Sequence, residues 1–451
     1  MSKLSYMEKL LEGAEVEWKA LEDVFNIKNG YTPSKSKPGY WSNGDIPWFR
    51  MDDIRQNGQI LDNALQKVSK KAVKGGKLFP ANSIIISTSA TIGEHALIKV
   101  PYLSNQRFTN LSLKSSYSDK FEIKFLFYYS FLLCEWCKNN TRMSSFATVD
   151  MNGFKKLLIP IPCPNNPKKS LEIQTEIVRI LDTFTELTAE LTAELSARKK
   201  QYHYYRDQLL SFDEGEVDHL PMGQGGGDRS MSKLSYMEKL LDGVEVEWKT
   251  LEDVFNIKNG YTPSKSKPEY WSNGDIPWFR MDDIRQNGRI LDIALQKVSK
   301  KAVKGGKLFP ADSIIFSTSA TIGEHALIKV PYLSNQQFTN LSLKSSYSDK
   351  IKFLFYYSYL LCEWCKNNTR MSSFATVDMN GFKKLLIPIP YPNNPEKSLE
   401  IQTEIVRILD KFDTLTSSIS EGLPLEIKLR QQQYEYYRNL LLSFPKPEVA
   451  A

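Results

Sequence analysis

The stretch Met1-Ser2-Lys3-Leu4-Ser5-Tyr6-Met7-Glu8-Lys9-Leu10-Leu11 returns as Met231-Ser232-Lys233-Leu234-Ser235-Tyr236-Met237-Glu238-Lys239-Leu240-Leu241, and nearly everything after it returns as well. The correspondence runs to Pro162 and Pro390, with one gap where Phe121-Glu122 has no partner after Lys350. It resumes in residues 170–182, which recur as residues 398–410. A duplication of this length excludes a solenoid, whose units span roughly 20–45 residues, so each copy is a complete globular module followed by its own helix. Between the copies lies Gly223-Gln224-Gly225-Gly226-Gly227-Asp228-Arg229-Ser230, directly before Met231. A glycine-rich join before a second start-like methionine fits either an engineered fusion or two merged reading frames.

Within each copy the first part carries strand and turn signals. Ser83-Ile84-Ile85-Ile86-Ser87-Thr88 is a β-branched run, while residues 28–34 and 41–47 are rich in turn formers. The second part is helical. Ile177, Ile180, Phe184, Leu187 and Leu191 are spaced three and four apart, and the stripe resumes at Tyr202, Tyr205 and Leu209. The second copy repeats it with Ile405, Ile408, Phe412, Leu415 and Ile419, then Tyr434, Tyr437 and Leu441. Two matched stripes in one chain predict that the helices pair with each other rather than only covering their own modules. One departure separates them: the first helix writes Thr-Ala-Glu-Leu twice from Thr188 to Leu195, whereas the second has Glu421-Gly422-Leu423-Pro424, which predicts a kink or break near Gly422. The expected organisation is a module over residues 1–165, a helix over 166–215, a linker over 216–230, a second module over 231–393 and a second helix over 394–445.

Composition narrows the class of protein. The chain has 451 residues, 41% hydrophobic and 25% charged, with no apolar run near the ~20 residues that cross a bilayer. Residues 1–9 lack the apolar stretch of a secretory signal, which predicts a cytoplasmic, non-membrane protein. The net charge of +7 permits an acidic partner without requiring one. Five cysteines, an odd number, argue against a disulfide framework. The only CxxC spacing, Cys134/Cys137 and its copy Cys362/Cys365, sits in apolar, aromatic sequence that reads as a buried helix, so packed thiols are expected there and no metal site.

The residues Gly30-Tyr31-Thr32-Pro33-Ser34, Tyr40-Trp41, Gly44-Asp45-Ile46-Pro47-Trp48, Ser89-Ala90-Thr91-Ile92-Gly93, Asn105-Gln106 and Ile159-Pro160-Ile161-Pro162, leading into Ile177-Val178-Arg179-Ile180-Leu181-Asp182, follow one another in both copies. In this order the chain resembles the specificity (S) subunits of type I restriction–modification systems, over nearly its whole length. The repeated tetrapeptide and the ending Gln201-Tyr202-His203-Tyr204-Tyr205-Arg206 are similar to the branch that carries such repeats in its central helix. The resemblance implies two target recognition domains of mixed α/β (α+β) fold, separated by two long helices pairing as an antiparallel coiled coil. It also implies partners: double-stranded DNA, two methyltransferase subunits and restriction subunits. S-adenosylmethionine, ATP and Mg would then belong to those partners, with no cofactor in this chain. Family members commonly carry two different recognition domains. Here the two are nearly identical, so the expected DNA target is bipartite and near-palindromic.

Catalytic signatures are missing from the sequence. An adenine-methyltransferase loop needs Asn/Asp-Pro-Pro-aromatic, and Asn165-Asn166-Pro167 lacks the second proline and the aromatic. Gly75-Gly76-Lys77-Leu78 does not complete a phosphate-binding Walker loop. His95 and His325 have no nucleophile signature beside them and read as structural. A recognition subunit without catalysis is therefore expected; the alternatives are a free-standing nuclease or methyltransferase with an unrecognised site, and a coiled-coil protein that does not bind nucleic acid.

Candidate DNA-binding residues fall in two stretches per copy. Lys28, Tyr31, Ser34, Lys35, Lys37, Arg50 and Arg55 lie among aromatics, as do Lys258, Tyr261, Ser264, Lys265, Lys267, Arg280 and Arg285. A solvated loop over a packed aromatic cluster is the competing reading, and it is preferred for Trp41 and Trp48. Asn105, Gln106 and Arg107, with Asn335, Gln336 and Gln337, offer the amide and guanidinium forks that pair with base edges. They equally suit a strand cap.

Overall fold

A computed structural model describes residue 10 and residues 15–143, 147–212, 240–241, 243–347, 351–371, 375–418 and 421–445. The glycine-rich stretch 223–230 and Ile419 lie outside the described residues. The chain forms two compact units, Met1–Ala189 with Arg430–Ala451, and Glu190–Leu429.

In the first unit the β-branched run forms the centre of a five-stranded sheet. Its strands are β2 (Phe25–Asn29), β4 (Ile60–Leu61), β6 (Ser83–Ser87), β7 (His95–Ile98) and β9 (Phe108–Leu113), in the order β2-β9-β6-β7-β4. The register pairs Ile84 with Leu111 and Ile85 with Asn110, which fixes the side-chain alternation on both faces. One face carries Ile84, Ile86 and Leu97 into a core with the helix Ile123–Asn139; the other carries Ile85, Ala96 and Ile98 into a second core with Phe49, Tyr102 and Phe108. A three-stranded sheet, β5-β3-β8, is built from β3 (Ile46–Phe49), β5 (Lys67–Val68) and β8 (Leu103–Ser104). Two ribbons complete the domain: β1 (Val16–Ala20) with β12 (Leu158–Pro162), and β10 (Thr141–Met143) with β11 (Ala147–Val149). The second copy repeats the four sheets in the same order.

The helical stripes fold as their spacing predicts. Pro167–Leu210 is one helix of 44 residues, whereas the second copy gives two, Pro395–Ser417 and Gly422–Leu441. The break falls at Gly422, whose φ of +76° only glycine adopts freely and where a Cβ would strike the Thr414 carbonyl oxygen at 2.3 Å. In the first unit Phe184 stacks on Tyr437 at 5.4 Å; in the second Tyr202 and Tyr205 meet Phe412 at 6.0 and 5.6 Å. Later residues of the first helix thus meet earlier residues of the second, which is antiparallel pairing.

Helix ends also complete each core. Leu441, Leu442 and Phe444 are buried with Phe125 in the first unit, where the Trp18 indole N–H donates to the Pro445 carbonyl at 2.9 Å. Leu209, Leu210 and Phe212 are buried with Phe353 in the second unit. All five cysteines are buried, Cys134, Cys137, Cys362 and Cys365 as free thiols, and among the described residues no cluster of His, Cys, Asp and Glu could hold a metal ion. His95 lies within 3.3 Å of Cys134 Sγ, edge-on to Phe131 at 4.3 Å, and burial holds its imidazole down to about 4. Among the described residues no helix is long and apolar enough to cross a membrane.

Candidate nucleic-acid interface

A cleft of about 600 Å³ opens in each unit, lined at equivalent positions in both. In the first it is walled by Thr32, Lys35, Pro38, Trp41, Ser42, Trp48, Arg50, Gln66, Asn105, Gln106 and Arg107. Three separate segments meet here because of close backbone approaches. Gly30 donates its N–H to Phe108 O at 2.9 Å and Tyr31 to Ser104 O at 2.8 Å. A Cβ on Gly30 would lie 2.3 Å from the Asn105 carbonyl oxygen, so only glycine lets the 31–36 loop face the 104–107 turn. Beneath them the fully buried Asn110 accepts from the Ser104 hydroxyl at 2.8 Å and donates to Lys28 O at 3.0 Å, fixing the turn to the sheet.

The aromatic residues are the frame of the cleft. Trp48 is buried and its indole donates to Tyr31 O at 3.0 Å; Trp41 packs edge-on against it with centroids 5.0 Å apart and donates to Ser34 O at 3.0 Å. Tyr31 donates its hydroxyl to Ala72 O at 3.1 Å and accepts from the Lys74 backbone N–H at 3.0 Å. Arg50 is set by the buried Asp53 carboxylate, which accepts from the backbone N–H groups of Arg50 and Leu65, both at 2.6 Å. From there the Arg50 guanidinium lies over Trp48, 5.8 Å from the ring centroid.

The structure therefore brings Lys35, Arg50, Asn105, Gln106 and Arg107 to one cleft, and Lys265, Arg280, Asn335, Gln336 and Gln337 to its counterpart. Their roles differ. Asn105 Oδ1 is taken up by the Arg107 backbone N–H at 2.9 Å, so this side chain shapes the turn and leaves only its amide N–H groups to offer. Gln106 is exposed and its Oε1 accepts from the Thr32 hydroxyl, which leaves its amide N–H groups to offer. Arg107 is exposed and has no acid partner among the described residues. In the second cleft Asn335 Nδ2 donates to Gln337 Oε1 at 3.3 Å.

Other candidates fall outside the lining. Tyr31 and Tyr261 are structural struts, Ser34 and Ser264 bond Ser36 and Ser266, and Lys37 and Lys267 lie over Tyr40 and Tyr270 at 5.3 and 5.2 Å. Lys28 and Lys258 are exposed on strands at the edge of the five-stranded sheets. Arg55 bonds Glu94 at 3.2 Å; Arg285 lines a different cleft in the second unit, beside Arg289, Glu324 and Tyr359. Gln66, Ser42 and Thr32, with copies Gln296, Ser272 and Thr262, line the cleft although no local pattern in the sequence marks them. Gln66 arrives through tertiary pairing alone, its carbonyl accepting from Trp48 N–H at 3.0 Å.

The residues lining the cleft are donor-rich, which suits phosphate oxygens and the acceptor edges of bases and supplies no nucleophile–base pair. Comparison with known proteins gives the family. The family model described as "Type I restriction modification DNA specificity domain" matches residues 14–198 and again 243–429. The type I restriction enzyme EcoR124I/EcoR124II specificity subunit of Escherichia coli is 36% identical over the full length of both chains. The EcoprrI specificity subunit, also of Escherichia coli, is 73% identical over 222 residues, which span 48% of this chain and 55% of that relative. A chain from a solved type I R-M system, described as bearing on complex assembly and conformational transition, superposes with a TM-score of 0.59 at 15% identity, covering 95% of this chain and 97% of its own, and so shares the fold. Two matching domains and a relative aligned end to end place this chain in the family of type I restriction–modification specificity subunits, as a DNA-recognition subunit and not a catalytic one.

Proposed function

We propose that each cleft reads one half of a bipartite DNA target and that the two half-sites are near-identical, inverted copies. What supports this is the near-repetition of the cleft: the lining matches position for position except at Arg107, which becomes Gln337. Two near-identical recognition domains in one chain would read inverted half-sites as the two subunits of a dimeric repressor do. The paired helices are the surface on which two methyltransferase subunits would dock, with restriction subunits joining them in the cytoplasm. S-adenosylmethionine, ATP and Mg would be bound by those partners.

Mapping methylated adenines in a host that carries this chain with methyltransferase and restriction subunits tests the reading. The expected map is one recurrent site whose halves are inverted repeats, differing at most at one base pair. Two unrelated half-sites would overturn it.

A further inference from the structure

Beside each cleft runs a lysine-rich segment that contributes nothing to its lining: Lys67-Val68-Ser69-Lys70-Lys71-Ala72-Val73-Lys74-Gly75-Gly76-Lys77, repeated from Lys297 to Lys307. It folds as β5 followed by two single 3-10 turns, Lys70–Ala72 and Lys74–Gly76. Val68 and Ala72 are buried in the small core that also holds Trp48, with Tyr31 and Trp41 packed against it. With those two residues facing inward, Lys67, Lys70, Lys71, Lys74 and Lys77 are all exposed, and none has an acid partner among the described residues.

The segment is rigidly tied to the reading loop. Ser69 donates its backbone N–H to Tyr40 O at 2.9 Å and its hydroxyl to Gly39 O at 2.7 Å, and Tyr31 bridges Ala72 and Lys74. Lys74 lies over the Tyr31 ring at 4.7 Å, and Lys304 over Tyr261 at 4.6 Å. Gly44 presses so closely on Val68 that a Cβ would sit 2.2 Å from its carbonyl carbon. Exposed cations held on short turns, at a fixed offset from a cleft lined by base-edge donors, are placed to grip phosphates rather than to read bases.

We infer that Lys70, Lys71 and Lys74, with Lys300, Lys301 and Lys304, form a phosphate clamp that holds the DNA backbone against each cleft. The clamp rests on the proposed DNA-reading role of the cleft. Around the clamp the copies differ at Gly39, which becomes the exposed Glu269, whose carbonyl accepts from Ser299; the added negative charge should weaken the second clamp's grip.

The test uses the full chain assembled with its methyltransferase subunits on a duplex carrying the mapped site. Two combined variants are compared: Lys70→Gln, Lys71→Gln and Lys74→Gln in the first copy, and Lys300→Gln, Lys301→Gln and Lys304→Gln in the second. Binding is measured against salt on target and on unrelated duplex. For each phosphate that a variant no longer neutralises, the slope of log K against log salt should shrink by about 0.9, on both duplexes alike, with the methylated sequence unchanged. The first-copy variant should shrink it more. The matching Lys→Arg variants should keep the slope, which separates lost charge from lost folding. An unchanged slope in the Gln variants overturns the clamp even if Arg107→Gln alters the bases read. A reduced slope with no effect of Arg107→Gln keeps the clamp and removes Arg107 from the reading surface.

Discussion

At the mouth of the first cleft stands Arg107, free of any acid among the described residues; at the same place in the second stands Gln337, held by Asn335 at 3.3 Å. Away from the clefts the copies diverge differently. Glu94 is bonded by Arg55, while its counterpart Glu324 is bonded by Arg289, which replaces Gln59 and lies over Tyr359 at 4.8 Å. Ile86 becomes Phe316, which stacks on His325 at 5.6 Å and meets Phe382 at 5.4 Å. Asn82 becomes Asp312, which accepts from Lys329, and both residues keep the left-handed φ near +57° that Asn and Asp tolerate. These exchanges keep a partner, a buried position or a backbone conformation. The Arg107/Gln337 exchange instead changes what the surface can recognise, because a guanidinium fork suits guanine and an amide suits adenine.

The comparison can be broken most forcefully through the helix ends. Phe444→Ala should loosen the first recognition domain by about 3–5 kcal/mol, and Phe212→Ala the second by a similar amount, since each phenyl ring is buried in that unit's core. Urea unfolding followed by hydrogen exchange locates the damage. If Phe444→Ala exposed amides of the second domain instead, the assignment of helix ends to cores would be wrong.

Acid should weaken both copies next. His95 is held down to about 4 chiefly by burial, with Arg438 and Lys138 adding to it, so it is neutral in the folded chain while an unfolded histidine protonates near 6.5. The folded state binds fewer protons, and its stability is therefore fully present above pH ~6.5 and falls as pH drops, levelling near pH 4 after a loss of about 3 kcal/mol. His325 is likewise pushed well below the ordinary histidine value by burial, then by Arg289 and Arg206, so the second domain should also weaken as pH falls below ~6.5. Thermal melts from pH 7 to 4 on His95→Asn and His325→Asn should lose the corresponding pH dependence one copy at a time. An unchanged pH dependence in either variant would remove that histidine as its source.

The finest difference is in recognition itself. Arg107→Gln should make the mapped target more symmetric, shifting preference at one base pair by about 1–3 kcal/mol, or roughly 5–150-fold. The folded state should not change, because the side chain is exposed. Methylation mapping reads the outcome, and an unaltered half-site would make Arg107 a surface residue only.

The sequence alone determined whatever rests on local pattern: the duplication, the 3.6-residue stripes, and the helix break at Gly422, where φ is positive and a Cβ has no room. It also marked Lys35, Arg50, Asn105, Gln106 and Arg107 by residue type. Only the tertiary structure decided what depends on distant backbone meeting. Gln66 enters the cleft because its carbonyl pairs with Trp48, and Asn105 turns out to hold the turn because its oxygen is used by Arg107 N–H. Arg55 is drawn to Glu94 across the fold. The lysines of residues 67–77 sit beside the cleft because Val68 and Ala72 are anchored in the core that holds Trp48. Periodicity is a property of neighbours along the chain, whereas burial and hydrogen-bond pairing are set by whichever segment fills the remaining space. That is why the end of the last helix could be recognised as apolar from its spacing, yet only the folded chain shows it completing the first domain's core.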